Sequence, residues 1–136
     1  MPQRDFFEVL ARGIDALRAD VPLAYHRFQT QFGPLRASLT AGTDTRTLWL
    51  ENYRLVLVNG VQAPAIEARF GLDTIDRLLD GEMTLLDAVQ ADRLWIRGRP
   101  EHVERFFDAF ATFVTGGMRS HAMQRLLQAF RGVRER

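Results

Sequence analysis

Few side chains in this sequence have the type and spacing needed for covalent chemistry. Its two serines, Ser38 and Ser120, lie far apart, and neither occupies the G-x-S-x-G turn that exposes a nucleophilic hydroxyl. The absence of cysteine excludes disulfides, thiolate nucleophiles and cysteine-bound zinc. The histidines His26, His102 and His121 are scattered, and His102 with Glu101 and Glu104 comes nearest to a metal cluster. An i, i+1, i+3 spacing on a solvated first turn is better explained by the helix dipole, which favours acidic groups there. Asp73, Asp76, Asp80 and Glu82 also cluster, but paired carboxylates work as acid and base only where burial separates their pKa values. The pattern instead makes Asp73 a helix cap and puts Asp76 and Asp80 on the solvent side. Gly116-Gly117 has no basic, glycine-rich strand-to-helix context and is not a phosphate loop. No catalytic residue, metal or cofactor is expected, so the chain reads as a non-enzyme.

The elements around these groups are mostly apolar. Phe6, Phe7, Leu10, Ile14 and Leu17 recur at helical spacing, and Val21-Pro22 ends that helix. PLAYHRFQTQF (22–32) is read as a short helix. The period then changes to two. PLRASLTAG (34–42), TLWLEN (47–52), YRLVLVNG (53–60) and AIEARFG (65–71) read as four successive strands in an antiparallel meander, with a turn at Glu51-Asn52. Two short helices follow, LDTIDRLLDG (72–81), closed by Gly81, and MTLLDAVQAD (83–92), capped by Thr84 with Leu85, Leu86 and Val89 as its stripe. RLWIRG (93–98) is a fifth strand. Pro100 opens a long helix whose apolar side holds Val103, Phe106, Phe107, Phe110, Phe113 and Val114; Gly116-Gly117 should break it before a last amphipathic helix over 118–136.

Length and composition bound the rest. The 136 residues suit one domain over 1–136, and 46% hydrophobic with 26% charged residues is a globular balance. A net charge of +1 argues against a dedicated nucleic-acid binder. All 18 basic residues are arginine, a bias that suggests a GC-rich bacterial genome. The charged N-terminus is not a secretory signal and no apolar run reaches the ~18 residues of a membrane span, so cytoplasmic residence is expected.

The segment LLDGEMTLLDAVQADRLWIRG (78–98), placed after an alternating strand and before an amphipathic helix, resembles the sterol carrier protein 2 family. The matching positions are Leu78, Leu79, Gly81, Ala88, Leu94, Ile96 and Gly98, and the element order fits from about Asp5 to Thr115. The resemblance implies an α+β fold, a five-stranded, mostly antiparallel sheet covered by helices around an apolar tunnel for acyl chains, sterols or other lipids. The chain departs from the family in lacking a C-terminal Ser-Lys-Leu peroxisomal signal and in ending on a basic tail. Members also occur as appended domains of larger enzymes.

The candidate ligand-lining residues are Phe70, Leu78, Leu79, Leu85, Leu86, Val89, Leu94, Ile96, Phe106 and Phe110. The leading expectation is non-catalytic binding and transport or presentation of a lipid or other apolar small molecule. The alternative is an accessory protein on the same fold, its interior filled, supporting a lipid or quinone biosynthetic enzyme assembly. The basic amphipathic segment 118–136, with Arg119, Arg125, Arg131, Arg134 and Arg136, is a candidate surface for a partner protein or membrane, or a lid.

Overall fold

The computed structural model describes residues 5–52 and 54–135, with side chains described as far as Phe130. Helix α1 (Phe6–Asp20) starts where the Asp5 carboxylate accepts hydrogen bonds from the Phe7 and Glu8 amides. Val21 ends it, and Pro22 opens α2 (Pro22–Phe32), where a missing N–H costs nothing. Next come β1 (Ala37–Ala41), β2 (Asp44–Glu51), β3 (Arg54–Asn59) and β4 (Ile66–Phe70). Helices α3 (Leu72–Leu79) and α4 (Leu85–Gln90), strand β5 (Leu94–Gly98), and helices α5 (Pro100–Gly117) and α6 (His121–Glu135) complete the order. No described helix is long and apolar enough to cross a membrane.

The five strands form one sheet in the order β3-β2-β1-β4-β5. The first three make the expected meander, but β4 leaves it and pairs parallel to β1, with Ala37 opposite Ile66 and Leu39 opposite Ala68. Alternation specifies which face of β4 is buried, not which free edge it joins. That choice is made by the crossover, where the Ala65 and Ile66 amides both donate to the Arg36 carbonyl. The Thr47 hydroxyl donates to the Gly60 carbonyl and accepts from the Gln62 amide, which ties the same loop down. β5 then pairs antiparallel with β4. The third strand begins at Arg54; Tyr53, where it was expected to start, lies outside the described residues.

One face of the sheet packs on helices. Leu39 and Leu48 line the same interior as Phe28, Phe32 and Phe113, while Phe6 sits edge-on to Phe70 at 5.8 Å. The opposite face carries Ser38, Thr40, Thr45, Thr47, Glu67 and Arg69, with the Arg69 guanidinium 4.7 Å from the Trp95 ring. α5 is anchored to α2 by Arg105, which donates to the Thr30 and Gln31 carbonyls at the α2 C-terminus.

Three further expectations are corrected. The break expected at Gly116-Gly117 comes directly after them: both are helical, in the last turn of α5, and α6 begins at His121 and not at 118. Both glycines are there for close approach, since a Cβ on Gly116 would lie 2.7 Å from Leu17 Cδ1 and one on Gly117 2.9 Å from Met123 Cγ. Asp73 is not the α3 cap; Gly71 holds that position, and Asp73 lies in the first turn, where its charge suits the dipole. Asp76 is not on the solvent side, being only 4% exposed.

Candidate functional site

α3 and α4 are short, and local chemistry fixes how they end. Gly81, at φ +76°, supplies the left-handed residue after α3. Thr84 and Asp87 form a reciprocal capping box at α4, each side chain taking the other's backbone amide at 3.0 Å. The Thr84 backbone N–H, and then its hydroxyl, hold the Asp87 carboxyl below the usual carboxylate range.

These two helices face the far side of α5 across an apolar groove of about 430 Å³. Leu78, Met83 and Leu85 form one wall, with Leu86 on its rim at 54% exposure. Phe107, Phe110, Ala111 and Val114 form the other. Met118 closes one end, its Cε 2.7 Å from where a Cβ on Gly81 would stand, so the glycine leaves room for the thioether. The polar groups on the lining are Thr84, Asp108 and Thr115. Thr84 is engaged in its capping box, and the Thr115 hydroxyl donates to the Ala111 carbonyl at 2.9 Å. Such a surface can hold an apolar body, and among the described residues it offers little with which to hold an anionic one.

The groove gathers four of the ten expected residues: Leu78, Leu85, Leu86 and Phe110. Phe70, Leu79, Leu94 and Phe106 are buried in the core, and Val89 and Ile96 are half-buried against it. Within α4 the inward pair is Leu85 and Ala88, which turns Leu86 outward. Between sheet and helices the phenylalanines leave a cavity of about 20 Å³, flanked by Phe6, Leu10, Phe28, Phe106 and Phe113. Phe110 borders both this cavity and the groove, its ring 6.5 Å from Phe106 and 6.3 Å from Phe113.

The expected lining missed Met83, Phe107, Ala111, Val114 and Met118. A signal for four of them exists: Phe107, Ala111, Val114 and Met118 follow i, i+4, i+7, i+11, a second stripe beside the core-facing one.

The two serines considered as nucleophiles are held in structural roles. The Ser38 hydroxyl lies buried 2.6 Å from that of Thr47. Ser120 donates to the Asp20 carboxylate at 2.7 Å and accepts from the Met123 amide, fastening the start of α6 to the end of α1. Among the described residues, no three His, Asp or Glu side chains come together as a metal-binding group. α6 buries Met123 and Phe130, and none of its described side chains, 121–130, lines the groove.

No protein-family model and no curated protein matches the chain. Its fold, however, is that of sterol carrier protein 2 domains. It superposes on the UbiJ-SCP2 ubiquinone synthesis protein with a TM-score of 0.60 at 11% identity, covering 85% of this chain and 98% of that one. The sterol carrier protein domain 2 of Helicoverpa armigera gives 0.58 at 11% identity over 81% and 87%. The sec-alkylsulfatase PisA1 gives 0.53 at 16% identity, and there the chain, over 79% of its own length, spans only 16% of the enzyme. These likenesses extend to an α+β fold with a five-stranded sheet of mixed pairing.

Proposed function

We propose that the protein binds an apolar ligand of the fatty-acyl, sterol or isoprenoid kind in the groove between α3–α4 and α5, and presents or transfers it without chemical change. The observation that carries this reading is a groove of about 430 Å³ with apolar residues on both walls. That volume lies within the range of small-molecule sites. A dozen methylenes withdrawn from water contribute roughly 10 kcal/mol. Immobilising the ligand costs about 4 kcal/mol or more, which leaves affinities of tens of micromolar. The fold likeness to sterol carrier protein 2 domains supports the same reading.

The test is native mass spectrometry of gently purified protein, with titration by n-alkanols. Wild type should carry hydrophobic adducts and bind dodecan-1-ol. Leu86→Asp, at an exposed rim position, should alter stability by less than about 0.5 kcal/mol and weaken binding at least tenfold. A clean apo mass, with no alkanol bound at solubility, would refute the carrier reading.

A second reading is favoured by the near-filled interior, about 20 Å³ of free space, and by the likeness to a ubiquinone synthesis protein. Here the fold serves as an accessory unit in a lipid or quinone biosynthetic assembly, docking through the exposed side of α6. It requires a partner complex that survives Leu86→Asp.

A further inference from the structure

We infer that the groove selects its ligand by head group, accepting an uncharged or cationic one and disfavouring a free carboxylate. The inference rests on the ligand-binding reading above and deepens it. Among the described residues no arginine lines the groove, and the one titratable side chain that does is Asp108. Asp108 is exposed on α5, next to Phe107 and one turn from Ala111, and is the charged edge of the groove lining among the described residues. Among the described residues no arginine forms an ion pair with it.

The opposite wall adds to the discrimination. An α-helix N-terminus ordinarily attracts an anion through its free amides. At α4 the amides of Thr84 and Asp87 are already engaged in the reciprocal cap, at 3.0 Å each. The carboxylate that occupies this terminus, Asp87, is held ionised by those same bonds. A carboxylate head group would thus meet the carboxylate of Asp108, find no guanidinium among the described lining residues, and be left to bulk water. A hydroxyl or ester meets no such opposition, and an ammonium group gains from Asp108. With charges about 5 Å apart in a near-aqueous dielectric, reversing the head-group sign changes affinity about tenfold.

The experiment compares three C12 probes, dodecan-1-ol, dodecylammonium and dodecanoate, by isothermal titration at pH 8 and low salt. Wild type should bind the alcohol and the ammonium, with dodecanoate at least tenfold weaker than dodecylammonium. Asp108→Asn should shrink that ratio to about threefold, whereas Glu101→Gln, an exposed acid on the same helix away from the groove, should leave it unchanged. Dodecanoate binding as tightly as dodecylammonium to wild type, or an Asp108→Asn protein with the full ratio, overturns the inference while leaving the groove reading intact. Failure of all three probes to bind refutes the groove reading itself, and the inference with it.

Discussion

Replacing Phe110 by alanine tests whether this ring sets the depth of the groove. Phe110 stands between a groove of about 430 Å³ and an inner cavity of about 20 Å³. Removing the ring joins the two spaces and adds its own volume, room for about three further methylenes at roughly 30 Å³ each. At ~0.8 kcal/mol per methylene, a longer alkyl chain gains about 2.4 kcal/mol, close to fiftyfold in Kd. A fully buried phenylalanine loses about 3–5 kcal/mol on truncation. Phe110 is half-buried, with one side already facing the groove, so a loss of about 2–3 kcal/mol is expected. That leaves a domain of ordinary stability folded. The assay is a titration series of n-alkanols from C8 to C14 against both proteins, alongside urea melts. The preferred chain should lengthen by two to four carbons in the variant. A variant that loses 4–5 kcal/mol and keeps the wild-type chain preference would show that Phe110 is an ordinary core wall, and the depth argument would fail.

Further predictions address the frame around the groove. Thr84→Ala removes half of the capping box and should cost about 1 kcal/mol, seen as faster hydrogen exchange across Leu85–Gln90 and weaker alkanol binding. The folded-state pKa of Asp87 is depressed, so its stabilising effect is present at neutral pH and is lost as pH falls below the ordinary value of 3.8 and through the folded one. Exchange in α4 should therefore accelerate in that acid window for wild type and not for Asp87→Asn. Gly98→Ala places a Cβ 2.9 Å from the Ala65 carbonyl oxygen, a backbone atom that cannot easily yield. It should destabilise by about 1–3 kcal/mol in a thermal melt, without altering chain-length preference.

How much of this was legible depended on whether the signal was local. Several helix starts and stops were, because Pro22, Gly81, Thr84 and Pro100 act within one turn; the α3 start, where Gly71 and not Asp73 caps, was not. The identity of the buried strand faces was too, since Ile66, Ala68 and Phe70 alternate with Glu67 and Arg69. The partner of β4 was not, because two free edges look alike until a crossover chooses between them. Gly116 and Gly117 read as a helix break, since sequence cannot reveal that Leu17, Ala24 and Met123 press on them. The burial of Asp76 was hidden for the same reason. The site was half legible. An apolar helical stripe announces that a face is covered, not whether protein or ligand covers it.

α5 shows how the two demands are separated. Phe106, Ala109, Phe113 and Gly116 face inward, where the Gly116 Cα lets Leu17 and Ala24 approach and the aromatic rings leave about 20 Å³. Phe107, Ala111 and Val114 lie on the adjoining side and border open space. Close packing makes the first stripe intolerant of volume change. The second stripe contributes less to stability because its neighbours are fewer, and it can therefore vary with the ligand. Substitutions along Phe107, Ala111 and Val114 that keep an apolar surface should shift ligand preference with small changes in melting temperature. Those along Phe106, Ala109 and Phe113 should lower melting temperature first, with binding lost only as the fold is lost. If both stripes gave the same profile, the groove would be part of the core, and the division of labour within this helix would have to be abandoned.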